Sequence, residues 1–146
     1  MNKIILIKLK LKTFTEQNAL DYCLLNNINP DNITELTLFN NELTDISGVK
    51  LFKNLEHLVL SYNLIKNISI VQYLNNLEYL NISYNKITDI SVIKNLKDLK
   101  TLNIKNLLLK SNQIKYIKSL KILFCSKGFK DISVLNELNK NIGVFK

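Results

Sequence analysis

Three consecutive stretches of this chain align without a gap at a spacing of 22 residues: ITELTLFNNELTDISGVKLFKN from Ile33, LEHLVLSYNLIKNISIVQYLNN from Leu55 and LEYLNISYNKITDISVIKNLKD from Leu77. The shared frame, LxxLxLxxNxIxxIxxLxxLxx, recurs at Leu36/Leu58/Leu80, Leu38/Leu60/Ile82, Asn41/Asn63/Asn85, Leu43/Ile65/Ile87 and Ile46/Ile68/Ile90. A fixed period of this length marks supersecondary units that stack on one another, and it constrains the fold more than any other pattern here. Composition agrees: 27 Leu, 19 Ile, 22 Asn and 20 Lys stand among 146 residues. A hydrophobic share of 47% is enough for a sizeable core and excludes wholesale disorder.

The frame carries its own structural logic. LxxLxL sets two apolar side chains at period two, so they share one face of a short strand while the residues between them point away. The Asn that follows turns the chain, and its side-chain amide can bond main-chain groups that the turn leaves unpaired. Further on, apolar positions recur at threes, as in Ile87, Ile90, Ile93 and Leu96, which suits 3₁₀ or short helical turns on an opposite wall. One unit buries too few aliphatics to offset the entropy of ordering it, so neighbours must stack and share faces. The expected product is a curved solenoid lined by a parallel sheet.

The pattern resembles the leucine-rich repeat family. Its 22-residue period, with Asp45-Ile46-Ser47 and Asp89-Ile90-Ser91, looks like the bacterial internalins and like the phosphatase-regulator subclass of intracellular leucine-rich repeats, over roughly residues 33–138. The resemblance implies an α/β fold class: a leucine-rich repeat solenoid with a concave parallel β-sheet, convex 3₁₀ or short helical turns and an N-terminal strand–helix cap. The expected division is a single domain over 1–146, with the cap at 1–32, about five repeats over 33–138 and a C-terminal cap at 139–146. Recognition of another protein is the job the resemblance implies, by analogy of fold rather than of site.

Beyond the third unit the frame slips. The next Asn in frame is Asn112, 27 residues after Asn85, and two registers compete. In one, Ile104, Leu107, Leu109, Asn112, Ile114, Ile117 and Leu120 form the next unit behind a five-residue insertion. In the other, Leu99, Leu102 and Ile104 form the strand, and Leu107–Ser111 bulges beyond it. The first matches every frame position and is favoured. A degenerate fifth unit runs near Ser119–Leu138, and Ile142 and Val144 supply a last short strand or cap. At the N-terminus Ile5, Ile7, Leu9 and Leu11 alternate with Leu6, Lys8, Lys10 and Lys12, a strand pattern whose outward lysines guard an edge. Thr13-x-x-Glu16 is a capping-box signature ahead of a helix over residues 15–26, with Ala19, Leu20, Cys23 and Leu24 on one face, and Asn29-Pro30-Asp31 stops it.

No catalytic constellation emerges, and a non-enzyme is expected. Gly48, Gly128 and Gly143 are too far apart for a phosphate loop. No motif surrounds His57, the single histidine, and the frame sets it on the concave face, solvated or touching a partner. Cys23 reads as a small buried helix residue, while Cys125 falls in a degenerate unit. Two cysteines make no disulfide framework, and with one histidine they are too few for structural zinc, so no metal or cofactor is expected. Glu35, Glu56 and Glu78, at equivalent positions near successive strand starts, suggest a weak acidic ridge or, more simply, a solvated row. The sequons at Asn32, Asn67 and Asn81 are discounted as chance matches in an Asn-rich chain. No apolar run approaches the ~18 residues that span a membrane. The apolar stretch before Lys8 is too short for a signal peptide, so a cytoplasmic protein is expected.

The candidate partner-binding residues are the concave positions Thr37, Phe39, His57, Val59, Ser61, Tyr79, Asn81 and Ser83, joined by Leu108 and Lys110 under the favoured register. Isolated exposed apolar residues are normal, but Phe39, His57, Val59 and Tyr79 cluster on adjacent strands as a contact patch. Asn41, Asn63, Asn85 and Asn112 form a structural ladder, beside which Tyr62 and Tyr84 are placed to stack. The formal charge of +8 is uneven, with 8 Lys against 9 acids in residues 1–93 and 12 Lys against 3 acids in residues 94–146. That asymmetry raises nucleic-acid or anionic-surface association as the alternative to an unidentified protein partner. Against it, the chain has no Arg for bidentate phosphate or base contacts, and its aromatics do not interleave with its Lys.

Overall fold

Each unit of the frame has room for only a few residues of extended chain before the Asn turns it, so short strands are expected. A computed structural model describes residues 2–6, 10–109, 113, 119–126 and 142–146. Within them seven parallel strands join in chain order into one open sheet: β1 Lys3–Ile5, β2 Glu35–Thr37, β3 His57–Val59, β4 Tyr79–Asn81, β5 Thr101–Asn103, β6 Ile122–Phe124 and β7 Gly143–Phe145. The strand centres Ile4, Leu36, Leu58, Leu80, Leu102, Leu123 and Val144 stand in register, and all but half-buried Val144 are buried. Across the core run the 3₁₀ segments η1 Pro30–Asn32, η2 Ser47–Leu51, η3 Ser69–Tyr73 and η4 Ser91–Asn95. The recurring Asp or Asn ahead of the last three has a physical cause. The Ser47, Ser69 and Ser91 N–H groups donate to Asp45, Asn67 and Asp89 Oδ1 at 2.8, 2.7 and 2.8 Å, satisfying donors that the start of a helical turn leaves orphaned.

The Asn ladder ties unit to unit. Asn63 Oδ1 accepts from the Asn41 and Leu43 N–H groups at 3.2 and 3.1 Å, while its Nδ2 donates to Leu38 O at 2.8 Å and Leu60 O at 2.9 Å. Asn85 repeats this one unit on, accepting from Ile65 N–H at 3.0 Å and donating to Leu60 O at 2.9 Å. Asn41 donates to Leu6 O at 3.1 Å and so joins the first repeat to the cap.

The favoured register for residues 99–120 is overturned. β5 lies 22 residues after β4, with Leu102 opposite Leu80, and Leu99, Leu102 and Ile104 are buried. Lys100 and Thr101 N–H both donate to Glu78 O, at 2.8 and 2.9 Å, as Glu78 and Tyr79 do to Glu56 O. Main-chain pairing to the preceding strand therefore decides the register, and the in-frame Asn112 was a coincidence of composition. Leu107 holds the position of Asn41, Asn63 and Asn85, and Asn112 lies outside the described residues. The steps onward to β6 and β7 are 21 residues, from Leu102 to Leu123 to Val144. β7 contains the expected Val144, whereas the convex KDISVLNEL segment lies outside the described residues.

The cap differs from expectation in three respects. Ile4 in the first strand and Leu6 just past it are buried and Ile5 is 51% exposed, one residue out of phase with the Ile5/Ile7 reading. Both faces of that segment are apolar, so alternation could not fix its phase. The capping box belongs to Thr15 and Asn18: Asn18 N–H donates to Thr15 Oγ1 at 3.2 Å and Thr15 N–H to Asn18 Oδ1 at 3.1 Å. Thr13 is instead engaged in a parallel bridge to Asp45. The helix α1, Glu16–Leu25, buries Ala19 and Cys23, while Leu20 and Leu24 are exposed. It packs on η2, where Gly48 is required by a close approach: its N–H donates to Phe14 O at 2.8 Å, and a Cβ there would collide with Phe14 O and the Thr15 carbonyl. The equivalent positions in the next two units, away from the cap, are Ile70 and Val92.

Two substitutions test this account by urea unfolding. Asn63→Ala should cost about 3 kcal/mol or more, because it orphans several buried main-chain groups, whereas Asn76→Ala on the exposed wall should stay within about 0.5 kcal/mol. Gly48→Ala should cost about 1–3 kcal/mol by prising the cap from η2.

Candidate recognition surface

Strand alternation and parallel register set two rows of side chains on the concave side. Glu35, His57, Tyr79 and Thr101 share one row, and Thr37, Val59, Asn81 and Asn103 the next. Of the expected surface residues, His57 is exposed and Thr37, Phe39, Val59, Tyr79 and Asn81 are half-buried. The His57 and Tyr79 rings lie 5.7 Å apart. Ser61 and Ser83 are a correction: each is only 3% exposed and offers a partner no surface. They stand between Phe39 and Lys105 in their row, and a short side chain among longer ones does not reach solvent. Leu108 is 88% exposed, but it sits in the loop after β5 rather than on a strand. Lys110 lies outside the described residues.

An aromatic rim borders the rows. Phe39 meets Tyr62 edge-on at 5.3 Å, and Tyr62 stacks on Tyr84 at 4.2 Å. The turn following each of β2 to β5 uses a left-handed residue: Asn40 at φ 52°, Tyr62 at 59°, Tyr84 at 53° and Asn106 at 60°. Asn adopts that conformation readily, whereas a bulky side chain there costs about 1–3 kcal/mol. The Tyr stack offsets part of that cost, by about 0.5–1.5 kcal/mol. The hydrogen bond to Tyr84 holds the Tyr62 hydroxyl pKa above the usual tyrosine range.

A second aromatic group escaped the sequence reading. Phe124 and Phe145 stack at 5.2 Å, and Lys105 Nζ lies 5.7 Å from the Phe124 ring centre. Carrying the 22-residue step from Tyr79 and Asn81 to Thr101 and Asn103 would have pointed to this end of the sheet.

The supposed acidic ridge dissolves. Glu35 is in register with His57, one residue further along its strand than Glu56 and Glu78, and it pairs with Lys3. Glu78 pairs with Lys100. The hydrogen bond from Lys3 holds the Glu35 carboxyl below the usual glutamate range, and that from Lys100 does the same to Glu78. Burial pushes the Cys23 and Cys125 thiols up, away from the reactive thiolate. Cys125 occupies the core position that Ile104 fills one unit earlier. Among the described residues no three His, Cys, Asp or Glu side chains gather as metal ligands. An open cleft on the opposite wall, of about 280 Å³, is lined in part by Asn67 and Asp89, whose Oδ1 atoms are already engaged in the turns.

A seven-stranded parallel sheet with this ladder defines a leucine-rich repeat array. A leucine rich repeat family model matches residues 31–87, and a model for two copies of the repeat matches residues 75–118. The chain belongs to the leucine-rich repeat family, a fold that typically serves in protein interaction. Among solved structures it is similar to the internalin InlF of Listeria monocytogenes, with 32% identity and a TM-score of 0.70 over 78% of this chain and 35% of that one. The internalin C2 of the same organism is 28% identical with a TM-score of 0.65, over 78% and 51% of the two chains. A leucine-rich repeat protein of Leptospira interrogans, 23% identical, shares the fold over 100% of this chain and 37% of its own, with a TM-score of 0.80. The chain thus spans about a third to a half of these proteins. Comparison with the curated proteins finds no match. No helix among the described residues is long and apolar enough to cross a membrane.

The Glu78–Lys100 pair makes a pH prediction. A lowered carboxylate pKa means stability that is present above the ordinary glutamate range and lost as pH falls through the lowered value. Lys100→Gln should therefore lower Tm slightly at neutral pH, and the gap to wild type should close as the pH is taken below the glutamate range, read by calorimetry at low salt.

Proposed function

We propose that the chain is a non-enzymatic recognition module that binds a protein partner through the concave face of its repeats. One observation carries this reading: Phe39, His57, Val59 and Tyr79 stand together on the outward side of β2 to β4 and the turn after β2, half-buried or exposed, rather than in the core. Aromatic side chains in such a setting make strong anchors, because the packed part of the ring is already held in place and the outward part is large enough to be desolvated by a partner. Tyr62 and Tyr84 add to the support. They hold aromatic rings at a backbone position where the neighbouring units use Asn, at a cost in conformational energy. Among the described residues of the basic C-terminal half, Lys100 is engaged by Glu78 and Lys105 lies over Phe124, which gives the alternative no comparable support there.

The test is quantitative capture of a partner by wild-type protein, by a Phe39→Asp/Val59→Asp/Tyr79→Asp variant, and by Tyr73→Asp on the opposite wall, where Tyr73 is exposed in η3. Circular dichroism would confirm that each variant is folded. The concave variant should lose at least about tenfold in affinity and the Tyr73 variant almost none. The reverse pattern would overturn the assignment.

A further inference from the structure

Two adjacent Asn side chains in the middle of the concave face have their amide oxygens turned to their own backbone. Asn81 Oδ1 is occupied by the Ser83 N–H at 3.2 Å and the Ser83 hydroxyl at 2.7 Å, and Asn103 Oδ1 by the Lys105 N–H at 3.1 Å. Both oxygens are thus engaged by their own turns, while neither amide N–H₂ donates to any group among the described residues. Asn81 and Asn103 are direct neighbours in the β4–β5 register, so these donors stand side by side at the strand spacing of about 4.8 Å. Both residues are half-buried. No buried side-chain N or O among the described residues lacks a partner, so both N–H₂ groups reach solvent and a ligand acceptor would take the place of water on two adjacent donors.

Charge points the same way. Across β4 to β6 the Glu78 carboxylate is matched by Lys100, while Lys105 and Lys121 have no acidic partner within ion-pair distance among the described residues. Lys105 reaches across to the Phe124 ring, beside Asn103 in the β5–β6 register. The strip thus presents two neutral amide donors and a cation, bordered on one side by the stacked rings of Phe124 and Phe145. An ionised carboxylate accepts hydrogen bonds and donates none, and it carries the charge that this strip lacks. A nucleic-acid backbone would need a longer run of cations than Lys105 and Lys121, the two without an acidic partner across β4 to β6 among the described residues.

We infer that the Asn81–Asn103–Lys105 strip receives Asp or Glu side chains of an acidic segment in the partner protein. This rests on the concave-face reading above and adds the chemistry of what is bound there. Val59 and Tyr79 on one side and Phe124 on the other flank the polar strip, so apolar side chains spaced around the acids complete the fit.

Fluorescence anisotropy with the full chain at low salt tests it. The probes are a labelled peptide about a dozen residues long that alternates Glu and Gly, its Gln-for-Glu counterpart, and an oligothymidylate of equal length. The Glu peptide should bind about tenfold tighter than the Gln peptide and weaken as salt rises. Asn103→Asp combined with Lys105→Gln should remove that preference while leaving the circular dichroism spectrum and urea midpoint close to wild type. Equal binding of the two peptides, no binding of either, an unchanged preference in the double variant, or tighter binding of the oligothymidylate would each overturn the inference. If it falls while the Phe39/Val59/Tyr79 variant still loses its partner, the concave-face reading stands and only the acidic chemistry is wrong.

Discussion

The architecture depends on one buried amide. A chain that turns every few residues leaves main-chain N–H and C=O groups inside the molecule, and each unpaired group there carries a large desolvation cost. Asn is suited to the position because a single side chain both donates and accepts. Asn63 binds N–H groups of Asn41 and Leu43 and carbonyls of Leu38 and Leu60, so it belongs to two units at once. The amide thus ties each of these units to the one before it, while main-chain pairing keeps Leu36, Leu58, Leu80 and Leu102 at 22-residue steps. Past Asn85 the ladder position is Leu107, and other side chains make local links: Ile90 N–H donates to Gln113 Oε1 at 2.7 Å, and Asn106 N–H to Ser126 Oγ at 2.8 Å. There too the step between strands shortens to 21 residues.

How much was legible in the sequence follows from what each pattern encodes. The inward positions of residues 33–98 were readable because burial demands the same aliphatic in each unit, and three repeats make the demand visible. The outward positions of β2 to β4 were then readable by alternation alone. The register at Asn112 was not, because in an Asn-rich chain a matching Asn carries little information, while the main-chain pairing of Lys100 and Thr101 to Glu78 leaves no mark on side-chain identity. Thr13 and Thr15 illustrate the same limit. Two similar residues flank the helix start, and only the bridge from Thr13 to Asp45 shows which is engaged elsewhere. Tyr62 and Tyr84 defeat propensity altogether, since nothing in a Tyr codes for a left-handed turn; the turn is imposed by the repeat, and the ring stack makes Tyr tolerable in it.

Charge shows a similar shift from composition to placement. The excess of lysine in the last third raised a polyanion surface as the alternative, but among the described residues of the sheet the charges are sparse and partly matched. Lys3 serves Glu35 and Lys100 serves Glu78, so net charge on the concave face comes from few side chains. Their position beside amide donors and rings gives them meaning, because a lone exposed cation is well solvated and contributes little to recognition.

The repeat also separates folding from binding within each strand. Leu36, Leu58, Leu80 and Leu102 are fixed by the core, and the ladder fixes the turns through Asn41, Asn63 and Asn85. The residues on either side of the strand centres answer to neither constraint, and they are diverse: Glu35, His57, Tyr79 and Thr101 in one row, Thr37, Val59, Asn81 and Asn103 in the other. A partner meeting this face meets side chains held on paired strands, and β2 to β6 contain no glycine. Ordering such a surface on binding costs little entropy, so a few well-placed contacts suffice for specificity. Diversity on a rigid outward row, over a core that tolerates almost none, is the arrangement by which one scaffold can be directed to a particular partner without refolding.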